Sequence, residues 1–382
     1  MSDTRKTTKP NVPNLRFPGF EGEWARCTLG EIGEPYIGLT YSPADVVSEG
    51  GTIVFRSSNI QNGEIDYSDI VRVNKIIKDS IITRKDDLLI CARNGSPRLI
   101  GKNALLKEAD EGQTFGAFML VFRSNDNHFV HQLLCTKGYN SQVSENLGAR
   151  INQITTSNIR DFEFCFPQST AERNKIAGFL DLIDERIAVQ SRLIEKLQSL
   201  IGGIAQHCIK EAISGSMCIK LGDICKITTG KLDANAQVDN GLYPFFTCAE
   251  QPFKIDNFAF DTEALLISGN GANLGYVNYY NGKFNAYQRT YVLDAFSENI
   301  QYIKWALKVL LPKRIAIEKS SSNTPYIVLS TLSDLRLPIP SKGNQCHMAE
   351  LMQSLERKLS NQIALKSSYN MLKQYLLRQM FI

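Results

Sequence analysis

The sequence predicts an α+β protein in which two globular modules, each mixed α/β with a β-rich core, are joined by two long helices. Three observations predict this architecture. The halves of the chain carry matching motifs in the same order, each half closes with a long apolar stripe at helical spacing, and 43% of the 382 residues are hydrophobic. A chain of this length and composition can bury two or three separate cores. We therefore expect an internal pseudo-twofold repeat.

The globular part of each half opens with the same short pattern. Residues 28–32 read TLGEI and residues 220–224 read KLGDI. Further along, DLLI at 87–90 precedes an Arg-Asn-Gly turn, and ALLI at 264–267 precedes a Gly-Asn-Gly turn. A later glycine closes each stretch, at 101 and at 275. These pairs predict an apolar strand followed by a tight turn at the same place in each module.

The later part of each half matches as well. A short polar entry leads into an apolar strand, a helical segment follows, and a polar loop leads into a last strand that ends at proline. In the first half and then the second, these segments are the strand entries Gln113–Phe115 and Gln288–Tyr291, the helices at about 127–146 and 298–319, and the final stretches 154–167 and 327–340.

Each half ends in a long predicted helix, over about 171–213 and about 344–381. Apolar residues recur along both helices at spacings of three, four or seven, which is typical of a coiled-coil seam. Neither stripe is stable when exposed, so we expect the two helices to pack on each other as an antiparallel coiled coil. The residues predicted to pack are Ile176, Leu180, Ile183, Ile187, Ile194, Leu197, Ile201, Leu355, Leu359, Ile363, Leu372 and Leu376.

The repeat divides the chain into five segments. We expect a flexible arm at 1–14, a first module at 15–167, a central helix at 168–214, a second module at 215–340 and a C-terminal helix at 341–382. A helix of about 40 residues is about 60 Å long, which exceeds the ~35 Å of one DNA helical turn. Such helices can hold two reading modules on one duplex.

Bulk composition excludes several classes of protein. The chain has no run of about 18 apolar residues, and its first 14 residues lack the apolar stretch of a secretion signal, so we expect a cytoplasmic protein. Nine scattered cysteines without a C-x-x-C pair indicate neither a disulfide framework nor a zinc ribbon. A net charge of +4 permits a polyanionic partner without establishing one.

Two segments invite a cofactor or metal interpretation. ALLISGNGANLG at 264–275 resembles a phosphate-binding turn, but its glycines are one residue off the dinucleotide fingerprint, and an aromatic, β-rich segment follows where a helix is needed. His128, His131 and Cys135 lie close together in sequence on a predicted amphipathic helix. We interpret both segments as structural and expect no metal site.

Catalytic motifs are incomplete. Asn323–Tyr326 reads NTPY, which lacks the proline that an adenine methyltransferase carries at the second position. Glu356 and Lys358 resemble part of a nuclease site, but they lie within an apolar helical stripe and are interpreted as solvated helix residues. No Walker-type phosphate-binding sequence is present, so no ATP site is expected.

With these motifs in place, the chain resembles the specificity (S) subunit of type I restriction-modification enzymes. The resemblance rests on the leader LRFPGFEGEW at 15–24, the LGEI that follows it, the LLI strand before an N-G turn, and the entry to the central helix with Pro167, Glu172, Lys175, Ile176 and Ala177. The C-terminal helix departs from it, beginning NQCH at 344–347 where the family usually has a glutamate-containing stretch.

The resemblance implies two target recognition domains, each reading one half of a bipartite double-stranded DNA target, with the helices fixing the gap. It implies a non-catalytic subunit. Two modification (methyltransferase) subunits that bind S-adenosylmethionine would dock on the helical regions and methylate adenine, and ATP-driven restriction (translocase/nuclease) subunits would join them. S-adenosylmethionine, ATP and Mg are therefore expected on partner subunits, with no cofactor on this chain and no membrane contact.

Candidate DNA-binding residues are the polar side chains that cluster in turns and loops of both halves. Arginine, asparagine, glutamine, serine and threonine offer the donors and acceptors that base edges and phosphates require. Each residue taken alone is equally compatible with an ordinary turn or surface role. The candidates are Arg56, Asn59, Arg93, Asn94, Ser96, Arg98, Gln113, Thr114, Arg150, Asn152, Gln153, Asn270, Asn273, Gln288, Arg289, Thr290, Ser321, Ser322 and Asn323.

Two other functions share some of these features. A self-contained modifying enzyme is disfavoured by the incomplete catalytic motifs. A coiled-coil scaffold whose terminal modules bind proteins, without reading DNA sequence, would have the same helices and repeat. The polar loops in matching places favour DNA.

Overall fold

The computed structural model describes residues 11–147, 152–319 and 326–382, and the chain divides into two compact units. Unit 1 comprises Met1–Ser191 and Leu365–Ile382, and unit 2 comprises Arg192–Ala364. Each unit therefore contains one globular module and one segment of each long helix. Within the described ranges, no helix has the length and apolar character needed to span a membrane.

The elements follow one another along the chain as α/β modules, each closed by a long helix. In unit 1 they are β1 (Ala25–Thr28), α1 (Leu29–Ile32), β2 (Glu34–Ile37), β3 (Val46–Val47), β4 (Thr52–Phe55), β5 (Ile60–Gln61), β6 (Glu64–Ile65), β7 (Val71–Val73), β8 (Leu88–Cys91), β9 (Asn103–Leu105), β10 (Thr114–Phe115), β11 (Met119–Arg123), α2 (Asn127–Leu133), α3 (Lys137–Asn146), α4 (Thr156–Asp161), β12 (Glu163–Phe166) and the start of α5 (Thr170–Gly215). In unit 2 they are β13 (Met217–Lys220), β14 (Lys226–Thr229), β15 (Tyr243–Phe246), β16 (Phe253–Ile255), β17 (Phe260–Ser268), β18 (Val277–Ala286), β19 (Thr290–Asp294), α6 (Ile300–Lys319), α7 (Leu329–Ser333), β20 (Arg336–Ile339) and the start of α8 (Lys342–Met380), whose end from Leu365 onward belongs to unit 1.

The main sheets of the two units share the order of four strands. It is β2-β11-β8-β9, which is the whole sheet of unit 1, and β14-β19-β17-β18, which are four of the six strands in the sheet of unit 2. Every neighbouring pair within these four strands is antiparallel. The central strand β8 is buried along its whole length, as its LLIC sequence predicts. The sequence repeat is therefore a repeat of sheet topology.

A two-stranded antiparallel ribbon completes each module, formed by β1 with β12 and by β13 with β20. The TLGEI and KLGDI patterns begin at the last residue of β1 and of β13. The Leu29 N–H donates to the Phe162 carbonyl over 2.9 Å, and the Leu221 N–H donates to the Leu335 carbonyl over 2.9 Å. The two patterns thus make the same contact with the start of the last strand of their module.

The modules differ beside the main sheet. In unit 2, β18 is one ten-residue strand whose end pairs in parallel with β15. In unit 1, β9 and β10 are separate short strands, and β10 pairs in parallel with β4 in a second sheet of order β10-β4-β7-β3. One long strand in unit 2 thus takes the place of two in unit 1.

The helical segment predicted at 127–146 is divided in two. Its helix α2 ends at Leu133 and α3 begins at Lys137, because Thr136 caps the new helix by accepting a hydrogen bond from the Tyr139 N–H over 3.4 Å. The equivalent segment of unit 2, α6, is continuous despite Pro312 within it.

Segments of α5 and α8 pack together in both units, so the two helices run antiparallel. In unit 1, Ile176, Leu180, Ile183 and Leu376 belong to the main core, with Ile187 packed against it. In unit 2, Ile201 is a core residue, and Leu355 and Leu359 pack against that core. Leu197 is buried and Ile194 is half-buried.

The predicted packing stripe is wrong at two positions. Ile363 is 48% exposed and Leu372 is 44% exposed. In unit 1 the buried residues of α8 near its end are Leu376, Leu377 and Met380. The buried face of the helix is therefore shifted by one residue from the predicted stripe, and Leu372 lies outside it. Helical spacing identifies several possible faces, and the packing partner selects one of them.

Glu356 is not the free, solvated residue that the sequence predicts. Its carboxylate accepts a hydrogen bond from the Lys304 ammonium over 2.7 Å and lies 3.6 Å from the Lys308 ammonium. The Lys304 side chain is only 8% exposed. Glu356 therefore ties α6 to α8 inside unit 2, where it compensates a buried positive charge.

Candidate functional site

Several loops of unit 1 meet at one edge of its main sheet, where β2 and β8 end and β11 begins. We call this the loop edge of unit 1; it comprises residues 38–41, 56–59, 92–98, 116–118 and 152–154. The Ala92 N–H donates to the Phe118 carbonyl over 3.0 Å, and the Ile154 N–H donates to the Ala92 carbonyl over 2.9 Å. The turn after β8 is thereby fixed between the other two segments.

Unit 2 has a loop edge of the same construction, made of residues 230–233, 247–250, 269–274, 287–289 and 326–327. The Gly269 N–H donates to the Arg289 carbonyl over 2.8 Å, and the Ile327 N–H donates to the Gly269 carbonyl over 2.9 Å. Gly269 thus makes the same two backbone contacts as Ala92. The segment GNGANLG is therefore a sheet-edge turn that leads into β18, as predicted, and not the start of a helix.

A glycine after the first sheet strand lets the loops approach closely in each unit. A Cβ at Gly38 would collide with the carbonyl oxygens of Phe115 and Gly116, and a Cβ at Gly230 would collide with the carbonyl of Ala286. Only a residue without a side chain fits at such a backbone crossing. Both loop edges therefore depend on one glycine at an equivalent position.

Side-chain amides brace each turn against the loop that follows β4 or β15. In unit 1 the Asn94 amide donates to the Ser57 hydroxyl over 2.9 Å, and the Asn94 side-chain oxygen accepts from the Ser96 N–H over 3.0 Å. In unit 2 the Asn273 amide donates to the Cys248 carbonyl over 3.0 Å. The Cys248 thiol in turn donates to the Asn270 side-chain oxygen over 3.0 Å. These asparagines hold the turns in shape.

Arginine and lysine supply the positive charge of the two loop edges, and the loop edge of unit 2 also carries the exposed carboxylates of Asp233 and Glu250. Arg93 and Arg98 are exposed in unit 1, and Lys231 and Arg289 are exposed in unit 2. Among the described residues, none of the four has an ion-pair partner. The Arg93 guanidinium lies 5.0 Å from the centroid of the exposed Phe118 ring. Exposed, unpaired arginines on rigid turns are suited to phosphates and to guanine.

Two buried or half-buried titratable groups beside the loop edges, Cys91 and Tyr291, remain neutral near pH 7. Burial raises the pKa of the Cys91 thiol to about 11, and it also raises the pKa of the Tyr291 hydroxyl. That hydroxyl donates to the Ile327 carbonyl over 2.9 Å. Neither group contributes negative charge that would repel an anionic ligand.

The structure divides the sequence-predicted DNA-binding residues by exposure. Arg93, Arg98, Gln288 and Arg289 are exposed. Half-buried candidates are Arg56, Asn94, Ser96, Gln113, Asn152, Gln153, Asn270 and Asn273, and the buried ones are Asn59, Thr114 and Thr290. Arg150, Ser321, Ser322 and Asn323 lie outside the described residues.

Several candidates are engaged inside unit 1. The Asn59 amide donates to the carbonyls of Asp66 and Asp69, and Arg56 pairs with the Asp69 carboxylate over 2.8 Å. The Thr114 hydroxyl donates to the Ile81 carbonyl over 2.8 Å. These bonds argue against base contacts by Asn59 and Thr114.

Gln113–Phe115 and Gln288–Tyr291 match in sequence but do not occupy equivalent positions in the two modules. The Gln113 side chain accepts a hydrogen bond from the Ile53 N–H over 2.9 Å, so it lies beside the middle of β4 and not at its end. Backbone contacts make Phe118 the counterpart of Arg289. Sequence reasoning missed Phe118, because an aromatic residue in the apolar stretch GAFMLVF reads as core.

The segment with His128, His131 and Cys135 is structural. His128 contacts the carboxylates of Asp181 and Asp86, and His131 contacts the Asn103 side-chain oxygen over 3.0 Å. In the described parts of the chain, no group of three or more histidine, cysteine, aspartate or glutamate residues is arranged to hold a metal ion.

Comparisons with known proteins give the context of the two loop edges. A family model described as the type I restriction modification DNA specificity domain matches residues 21–199 and again 214–366. The specificity subunit of the type I restriction enzyme EcoDI from Escherichia coli is 42% identical over 137 residues, which are 36% of this chain and 30% of that protein. The StySPI specificity subunit from Salmonella potsdam is 26% identical over 206 residues, which are 52% of this chain and 44% of that protein. The matched region thus spans less than half the length of either relative.

A crystal structure of the S subunit of a type I restriction-modification system from M. genitalium superposes with a TM-score of 0.69. The superposition covers 97% of this chain and 99% of that one at 21% identity, so it shows a shared fold. The prediction of an α+β architecture with two recognition domains, an internal repeat and long packed helices is confirmed. The two family matches, each covering one module and most of the helix after it, show that the chain belongs to the type I restriction-modification DNA specificity family.

Proposed function

We propose that the chain reads a bipartite sequence in double-stranded DNA, with the loop edge of each unit reading one half. The observation that carries the proposal is the repeated construction of the two loop edges. Each holds exposed cations, without an ion-pair partner in the part of the chain that the structure describes, on turns fixed by backbone hydrogen bonds, with asparagine and glutamine beside them. Phosphate contacts by the cations position a protein on DNA, and contacts to base edges select the sequence.

Helix α5 supports a fixed gap between the two halves of the target. It is one continuous helix of 46 residues that contributes to both units. At 1.5 Å per residue its length is about 70 Å, which is about two turns of B-DNA. We propose that α5 and α8 together set the number of base pairs between the half-sites.

We further propose that catalysis belongs to partner subunits. Two modification subunits with S-adenosylmethionine would bind the helical regions and methylate adenine in each half-site, and restriction subunits would bring ATP and Mg. This chain would bind no cofactor and would act in the cytoplasm. The large share of exposed apolar side chains on the helices, such as Leu182 at 61% and Met371 at 63%, supports a protein partner there.

Mapping of N6-methyladenine across the genome, in cells with and without this gene, tests the proposal. A two-part motif with a constant gap should appear only when the gene is present. If cells with a working modification subunit show the same motifs in both states, the chain does not direct methylation. The scaffold alternative would then be favoured.

A further inference from the structure

Phe118 and Arg289 occupy the same position in the two modules. Each lies immediately before the strand that enters the middle of the sheet, since Met119 pairs with Cys91 and Thr290 pairs with Ser268 at the start of the respective ladders. The carbonyl of Phe118 accepts from Ala92, and the carbonyl of Arg289 accepts from Gly269. The backbone at this position is therefore held in the same way on both loop edges.

The side chains at this shared position are both presented to solvent. Phe118 is 58% exposed, and burying such a ring would stabilise the fold by about 2 kcal/mol. The Arg93 guanidinium lies 5.0 Å from the ring centroid. Arg289 is exposed, and the described residues offer it no acidic partner. The fold holds the backbone rigid here while leaving the side chain free to contact a ligand.

Arginine and phenylalanine side chains suit different bases. An arginine forms paired hydrogen bonds to O6 and N7 of guanine in the major groove. A phenylalanine has no hydrogen-bonding group and instead contacts the methyl group of thymine. The stacked Arg93 restricts the ring and can reach a phosphate beside it.

We propose, resting on the proposed function, that Phe118 and Arg289 are equivalent specificity-determining residues of the two modules. Phe118, supported by Arg93, contacts a thymine methyl in one half-site. Arg289 contacts a guanine in the other. The two halves of the target therefore differ in base identity at the position that this pair reads.

Selection of binders from a random double-stranded DNA library by the full-length chain tests the pairing. The wild-type chain should enrich a bipartite motif. One half should contain a preferred thymine, read by Phe118, and the other half a preferred guanine, read by Arg289. Arg289→Ala should lose preference at that guanine by about tenfold or more and keep the other half-site. Phe118→Ala should lose preference at that thymine and keep the half-site read by unit 2.

Base analogues then identify the contacted atoms. Replacing the thymine by deoxyuridine removes only the methyl group and should weaken binding of the wild-type chain but not of Phe118→Ala. Replacing the guanine by 7-deazaguanine removes only the N7 acceptor and should weaken wild type but not Arg289→Ala. The exchanged pair Phe118→Arg with Arg289→Phe should move the guanine preference to the half-site of unit 1.

Matched controls separate readout from folding. Arg336→Ala removes an exposed arginine on β20, and Ile76→Ala removes a 98% exposed apolar side chain after β7. Both should select the wild-type motif. If the wild-type chain enriches no bipartite motif, the proposed function fails. If it does, but Phe118→Ala and Arg289→Ala enrich the same motif as wild type, the pairing is wrong and the proposed function stands.

Discussion

The guanidinium of Arg16 makes two hydrogen bonds, of 2.7 and 2.8 Å, to the carboxylate of Glu172. The Glu172 side chain is 2% exposed and that of Arg16 is 14% exposed. This pair joins the leader LRFPGFEGEW to the first turn of α5. Two separate parts of the sequence resemblance therefore belong to one structural contact in unit 1.

We predict that Arg16→Ala lowers the free energy of unfolding of unit 1 by about 2–3 kcal/mol, because it leaves a buried carboxylate without its partner. The double variant Arg16→Met with Glu172→Met should recover much of this loss. The two tryptophans give separate readouts, since Trp24 is buried in the core of unit 1 and Trp305 in that of unit 2. In a Trp24→Phe background, the fluorescence of Trp305 reports the unfolding of unit 2. If denaturant titrations followed by Trp305 show the same loss of stability on Arg16→Ala, the effect is not confined to unit 1 and the prediction is contradicted.

Gly230 should tolerate no side chain. We predict that Gly230→Ala lowers the stability of unit 2 by about 2 kcal/mol, because the new Cβ collides with backbone carbonyls that cannot move independently of β18. Gly203 is the matched control, since it is exposed within α5 and its added Cβ would meet no atom within 4 Å. Gly203→Ala should raise stability by about 0.5–1 kcal/mol, because alanine favours the helix. Equal effects of the two variants on Trp305 unfolding would refute the backbone crossing as the cause.

Two histidines of α2 should give unit 1 opposite responses to pH. The hydrogen bond to Asp181 raises the pKa of His128 above its ordinary 6.5, with Asp86 adding to the effect. Burial, and then the Lys373 ammonium, lower the pKa of His131 to about 4 against the carboxylates of Asp184 and Asp181. As the pH rises, His128 therefore loses its proton at a higher pH in the folded chain than in the unfolded chain. His131 loses its proton at a lower pH in the folded chain than in the unfolded chain.

The sign of each contribution follows from proton linkage. The stabilisation from His128 is complete below its unfolded pKa of about 6.5 and is lost as the pH rises through the higher folded pKa. The cost of His131 is absent above about 6.5 and grows as the pH falls toward 4, because only the unfolded chain takes up the proton. We predict that His128→Gln lowers stability at pH 6 more than at pH 8.5. His131→Gln should reduce the loss of stability between pH 6.5 and 4.5. Urea titrations followed by Trp24 fluorescence check both, and parallel pH profiles for the two variants would contradict this assignment.

Local patterns predicted most of the fold and only part of the site. The TLGEI and KLGDI patterns, the LLI strands and the glycine turns lie at equivalent places, because each depends on nearby sequence and on one buried face. Helical spacing located α5 and α8 but placed Ile363 and Leu372 on the packed face, since the sequence does not say which apolar face meets its partner.

The site required the sheet register. Sequence matching paired Gln113 with Gln288, because a glutamine precedes an apolar strand in both halves. The register places Gln113 beside β4. Unit 1 has two short strands, β9 and β10, where unit 2 has the single strand β18. The equivalence of Phe118 with Arg289 has no sequence signal, because the two side chains share no chemistry and only their backbone contacts coincide.

Binding to the two half-sites should respond differently when the residue that holds each turn, Ser57 or Cys248, loses its hydroxyl or thiol. In unit 1 the Asn94 amide donates to the side chain of Ser57, whereas in unit 2 the Asn273 amide donates to the main-chain carbonyl of Cys248. Ser57→Ala removes its bond, worth about 1 kcal/mol, and should weaken binding to the half-site of unit 1 about fivefold. Cys248→Ser keeps the carbonyl and keeps a donor for Asn270, so binding to the other half-site should change by less than about twofold. Because Ser57 acts through Asn94, the two substitutions should be coupled in a double-mutant cycle measured by fluorescence anisotropy: once Asn94→Ala is present, Ser57→Ala should cost little more, and Asn94→Ala alone should cost more because it also removes the bond from the Ser96 N–H. Fully additive losses would show that Ser57 does not act through Asn94.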